Sequence, residues 1–161
     1  PVSQLEHALQ THLWREASAS YAAKKHAEAW PALVALFERA KLGRRREPER
    51  LETAFRNSAL CLFVYAGPVL IGVGRALSDG VSRAALYDVA VLPEYQGRGI
   101  GQAIVRRLLA AANVELTMLY AAPGKEAFYA QFGFRRMRTA MAWRAGCRST
   151  ATSSARAGSR G

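Results

Sequence analysis

The chain has 161 residues, half of them hydrophobic, a size that suits one domain with one core better than two. Its apolar runs are broken by Gly, Pro or Arg well before the roughly 18 residues of a membrane span, and its 2 cysteines are too few for a disulfide scaffold. The formal net charge of +11 is compatible with an anionic partner or with solubility alone, and position decides between them.

The opening PVSQLEHALQ has no charged start ahead of an apolar stretch, so no secretory leader is expected. With so few cysteines, the expectation is a soluble, intracellular protein in the reducing cytoplasm. Residues 1–28 are polar and weakly patterned, with a short strand or irregular lead-in around Leu13 to Tyr21; His7, His12 and His26 form no zinc pattern. From Trp30 the pattern sharpens. Pro31 suits a first helical turn, and Leu33, Leu36, Phe37 and Ala40 repeat at helical spacing until Leu42 and Gly43. Arg44, Arg45 and Arg46 then read as solvated charge in a helix-linking loop, with an acidic partner facing them as the alternative. A second short helix follows, with Glu47, Pro48 and Glu49 at its start and Leu51, Ala54 and Phe55 as its apolar face.

The period then changes. ALCLFVYA, Gly67-Pro68 and VLIGVGRAL read as an antiparallel hairpin, Ser78-Asp79-Gly80 as a turn, and Ala84 to Leu92 as a third strand stopped by Pro93. Ile100, Ile104 and Leu108, with Val105 and Leu109 beside them, make IGQAIVRRLLAAA a helix with one buried face, leaving Arg106 and Arg107 to solvent. A strand LTMLYA, a turn at Ala122 to Gly124, a short helix KEAFYAQF ended by Gly133, and a last strand FRRMRTAMAW complete the order. Residues 1–144 then form one mixed α/β domain, and the Ser-, Ala-, Gly- and Arg-rich residues 145–161 a basic disordered tail. No aromatic-interleaved basic stripe or helix-turn-helix supports a nucleic-acid surface, which would show itself as steep salt dependence abolished by removing the tail.

Residues 86–101, LYDVAVLPEYQGRGIG, run from a strand into three alternate glycines and a helix. Such a turn presents backbone N–H groups and a helix N-terminus to phosphate. Gln96, Gly97, Arg98, Gly99, Ile100, Gly101 and Gln102 can serve one pyrophosphate, with Arg98 screening its charge. A dinucleotide fingerprint fails because residue 102 is Gln and the preceding pattern is a hairpin, and a P-loop fails for want of Gly-Lys followed by Ser or Thr.

Gln96-Gly97-Arg98-Gly99-Ile100-Gly101 resembles the signature of the GNAT superfamily, the acyl-CoA-dependent N-acetyltransferases. YDVAVLPEY is similar to that family's central fourth strand and EAFYAQFGF to its later motif; together the likeness covers roughly Ala59 to Trp143. The resemblance implies a GNAT fold: one mostly antiparallel sheet, splayed between its fourth and fifth strands and flanked by helices. Acetyl-CoA would lie in the splay as co-substrate, with no metal. Its pantetheine arm would pair with the backbone of Val89, Ala90 and Val91, its pyrophosphate would sit on residues 96–102, and Phe128 would flank it. Dimers are common in the family, and no residue here decides for or against one.

The same resemblance implies direct attack by a primary amine within a ternary complex, which needs a neutral amine, a polarised carbonyl and a proton for the departing thiolate. Tyr129 matches the position that often supplies that proton. Many members place a base on the fourth strand, where this chain offers Ala85 and Tyr87, with Asp88 as the nearest carboxylate. Asp88 has four open roles: base, orienter of the amine, relay through water, or partner for buried donors. Strand alternation sets it opposite Tyr87 unless a bulge intervenes. LIGVGRALSDG with YDVAVLPEYQGRGIG also resembles the branch holding plant and cyanobacterial arylalkylamine acetyltransferases, which implies a small aromatic amine as acceptor. Acetylation of a protein N-terminus or lysine, and a catalytically silent acyl-CoA-binding module, stay open beside it.

Overall fold

Where the hydrophobic period switches from helical to alternating, the backbone switches with it. A computed structural model describes residues 13–18, 29–43 and 45–143, with backbone alone for 13–18 and 29. In chain order the elements are β1 (Leu13–Ser18), α1 (Ala29–Arg39), α2 (Pro48–Arg56), β2 (Leu60–Ala66), β3 (Val69–Ser78), β4 (Arg83–Val91), a 3-10 turn (Pro93–Tyr95), α3 (Ile100–Ala112), β5 (Leu116–Leu119) and α4 (Glu126–Ala130). The strand expected near Leu13 to Tyr21 is β1. The rest of that lead-in, the three histidines, Arg44, Cys147 and the 145–161 tail lie outside the described residues.

The sheet order is β1-β2-β3-β4-β5. β1 to β4 are antiparallel neighbours, whereas β5 runs parallel to β4. The parallel step follows from the connection: α3 carries the chain back along the sheet before β5 begins, as a crossover requires. Gly72 and Gly74 let α3 lie close on β3. A Cβ on Gly74 would come within 2.6 Å of Ile104 Cγ2 and 2.9 Å of Leu108 Cδ1. Strand alternation sends the neighbouring Val73 and Arg75 to the opposite face, which α1 and α2 cover. There Trp30, Phe55 and Phe63 meet in tilted or edge-to-face contact, with centroids 5.6 to 6.5 Å apart. Each such buried ring contributes about 1.5–3 kcal/mol through burial, so this cluster anchors the helices to the sheet.

The last expected strand does not form. Residues 134–143 carry no helix or strand, and Met137, Met141 and Trp143 are exposed. Adjacent residues of a strand point to opposite faces, so Arg135 next to Arg136 would put a guanidinium on each face and leave neither free to bury.

Candidate active site

β4 and β5 pair only from Arg83↔Leu116 to Leu86↔Leu119. Beyond Leu86, β4 continues through Val91 while β5 has ended, so the sheet forks there. Tyr87 stands at the mouth of the fork, and Val89, Ala90 and Val91 line its β4 side. β4 also bulges. Val73 pairs with Ala90 and Arg75 with Tyr87, so Gly74 alone faces the two residues Asp88 and Val89. Asp88 accommodates the extra residue at φ +54°, a left-handed conformation that non-glycine residues seldom take.

At the far end of β4, Leu92 N–H donates to Ile71 O at 2.8 Å and Gln96 Nε2 donates to Val91 O at 2.9 Å, fixing where the strand gives way to the loop. Gly97 and Gly99 sit at φ +73° and +81°, which explains glycine at both. Gly99 is the N-cap of α3 and offers no side-chain cap, so the first-turn amides of Ile100, Gly101 and Gln102 stay open as helix geometry leaves them. Nor does the first turn hold an acid. Exposed Arg98 lies over the Tyr95 ring at 5.3 Å. Together these form a positive, donor-rich concavity suited to an anion.

Gly101 serves a different purpose from the other two. A Cβ there would approach Phe128 Cζ at 3.4 Å and Val91 Cγ2 at 3.8 Å, so its bareness lets α4 close on α3 beside the end of β4. Gln102 Nε2 donates to Gln131 Oε1 and Gln131 Nε2 to Phe128 O, both at 2.7 Å, pinning the same junction. Tyr129 follows Phe128, with its ring against Phe128 at 5.0 Å and Phe134 at 6.0 Å. Burial raises its phenol pKa, so the group holds its proton at neutral pH. Arg106 on α3 is exposed as expected and also lies over Phe132 at 5.4 Å, whereas Arg107, expected in solvent as well, is half-buried.

The other face of β4 holds residues that sequence reading missed. Arg75 Nε donates to Asp88 Oδ2 at 2.6 Å, and Arg46 grips the same carboxylate with Nη2 on Oδ1 at 2.6 Å and Nη1 on Oδ2 at 3.1 Å. Burial pushes the Asp88 carboxyl upward, but hydrogen bonds and charge from Arg46 and Arg75 outweigh it and hold it below its usual 3.8. Arg75 also donates to Ser58 Oγ at 3.0 Å and lies over Phe55 and Tyr87. Arg46 rests on Phe37 at 4.9 Å, so the reading of residues 44–46 as plain solvated charge is corrected at Arg46. It holds at Arg45, whose pair with Glu38 is exposed. Nothing in the linear sequence marks one arginine from the other.

Among the described residues, no cluster of His, Cys, Asp or Glu is arranged to hold a metal and no helix is long and apolar enough to cross a membrane.

The sequence matches the profile of the acetyltransferase (GNAT) family over residues 11–134. It is 36% identical over 110 residues to serotonin N-acetyltransferase 2, chloroplastic, of Oryza sativa subsp. japonica, covering 64% of this chain and 54% of that protein. The chain spans about half the length of the curated relatives it matches. Among solved structures, a probable acetyltransferase of Staphylococcus aureus superposes with a TM-score of 0.68 at 23% identity, covering 82% of this chain and 99% of that one. A predicted acetyltransferase of Clostridium acetobutylicum, solved with acetyl-CoA, gives 0.63 at 14% identity over 83% and 96%.

Proposed function

Because the chain belongs to the GNAT family of acetyltransferases, matched over 11–134, we propose that it transfers the acetyl group of acetyl-CoA to a primary amine. The observation that carries this is the fork after Leu86 and Leu119, which opens beside the uncapped N-terminus of α3. An extended, amide-bearing pantetheine arm suits the unpaired edge of Val89, Ala90 and Val91. A pyrophosphate suits the loop from Gln96 through Gly97, Arg98, Gly99, Ile100 and Gly101 to Gln102, where donors and the helix dipole share one sign. Phe128 closes the side of that site.

In this reading the amine attacks the thioester carbonyl, whose oxygen gathers charge against a β4 backbone amide at Val89 or Val91. Collapse of the adduct breaks the carbon–sulfur bond, and Tyr129 gives its proton to the leaving thiolate. Its place on α4 supports that role: it follows Phe128, which closes on Gly101 at the start of α3, and its phenol is protonated at neutral pH. Asp88 is poorly suited to remove a proton from the amine, because its carboxylate already accepts from two guanidinium groups. Water removes it, with much of the rate coming from proximity. Tyr87, at the fork mouth and under Arg75, shapes the approach of the acceptor.

The acceptor we propose is a small aromatic amine. The rice relative's name supports that class, as does the aromatic ring of Tyr87 at the mouth of the fork. Calorimetric titration with acetyl-CoA, then thiol release with single amines, tests both halves. Release with aromatic ethylamines and not with lysine-bearing peptides is the expected pattern, and the reverse preference would replace the small amine with a protein acceptor.

A further inference from the structure

Asp88 is the strained point of β4, and two arginines from different parts of the chain hold it there. A left-handed aspartate persists only where its surroundings over-determine it. Arg75 is built into the sheet: it is 11% exposed, bonds Ser58, and lies over Phe55 and Tyr87. By itself it already neutralises the carboxylate. Arg46 is therefore surplus as charge. It arrives from the α1–α2 connection, 42 positions before Asp88, and is 33% exposed. What it adds is direction, because a two-pronged guanidinium fixes the plane of a carboxylate where a single contact leaves it free to swing.

We propose that Arg46 is a positioning residue for acetyl transfer. It locks Asp88 in its left-handed conformation, holds the β4 bulge, and thereby sets the backbone of Val89, Ala90 and Val91 that lines the fork. The α1–α2 segment is then mechanically tied to the strand that receives acetyl-CoA. This inference rests on the functional reading above for its consequence in catalysis, while its structural half can be read without any ligand.

The test compares wild type, Arg46→Met and Arg46→Lys at a temperature well below every melting point. Methionine keeps an apolar stem against Phe37 and removes the fork of donors; lysine keeps the charge alone. Three readouts are taken: acetyl-CoA affinity, kcat and KM across pH, and hydrogen exchange of the peptide spanning residues 86–92 in free protein. The expected result for Arg46→Met is about a tenfold fall in kcat, in line with the cost of a small misplacement, with faster exchange at Val89 to Val91 and an acid limb of the pH profile that stays in place. Arg46→Lys should fall between the two. Wild-type kcat and exchange in Arg46→Met overturn the proposal. So does an acid limb that moves to higher pH at full kcat, because that marks Asp88 as a base released from a cation. If Arg46→Met does not fold, a lysine variant equal to wild type in kcat and exchange also overturns it. A wild type that neither binds acetyl-CoA nor releases thiol defeats the functional reading instead, and the exchange comparison still shows whether Arg46 holds the bulge.

Discussion

The two sides of β4 are built on opposite plans. At its C-terminal end the anion-binding loop and the start of α3 are consecutive residues, Gln96 to Gln102. On the face toward α1 and α2, the Asp88 cluster is gathered from positions 13 and 42 residues away. The first plan constrains the backbone: two positive φ angles and an uncapped helix start leave glycine as the suitable residue at 97 and 99. The second constrains only charge and reach, which many sequences satisfy. A site made of backbone is therefore visible in the sequence, and a site made of assembled side chains is not.

Breaking each side should have different signatures. The largest effect expected is on the chemistry at the loop side. Tyr129→Phe keeps the ring contacts to Phe128 and Phe134 and removes only the proton, so kcat should fall about 100-fold with acetyl-CoA affinity unchanged; stopped thiol-release assays and calorimetry on one preparation read both. Next is the packing beneath the loop. Gly74→Val would drive atoms into Ile104 and Leu108 and should cost about 2–3 kcal/mol in urea unfolding, a loss of fold that no cofactor concentration repairs.

Gly99→Val attacks the backbone plan directly. At φ +81° a β-branched residue is strained and crowds the amides, so acetyl-CoA should bind about tenfold more weakly, while the urea midpoint moves less than for Gly74→Val. Equal affinity would make the loop a mere turn.

The charged side has a pH signature. The folded carboxyl of Asp88 lies below its usual 3.8, so the unfolded chain takes up its proton first as pH falls. The stability it contributes is thus fully present above about pH 4 and is lost as pH falls through the lower folded value. Thermal melts taken down through the carboxylate range should show this loss, and Asp88→Asn should flatten it. The smallest effect is an absence of reaction. Burial, against the opposing Arg75 charge and Ser58 hydrogen bond, pushes the Cys61 thiol up to about 12, so alkylation mapped to Cys61 should be negligible until the protein unfolds.

Much of the fold was legible because its elements carry strong periods and punctuation. Pro31, Pro48, Gly67-Pro68 and Pro93 each mark a boundary that the structure keeps within a few residues. Family resemblance alone suggests a bulge on β4; the register with β3 places it at Asp88. FRRMRTAMAW reads as a strand from its apolar residues, but its adjacent arginines deny either face a place to bury. Arg46 is illegible for a complementary reason. In sequence it is the third of three like residues, and only the path of the α1–α2 connection brings it, and not Arg45, onto Asp88.

The measurement that tests the account most directly is a calorimetric titration of the purified protein with acetyl-CoA, followed in the same cell by thiol release on adding an aromatic ethylamine. Saturable one-to-one binding is expected, with thiol release that depends on the amine. Absence of binding would contradict the functional reading, returning the fork and its glycine loop to the status of structure alone.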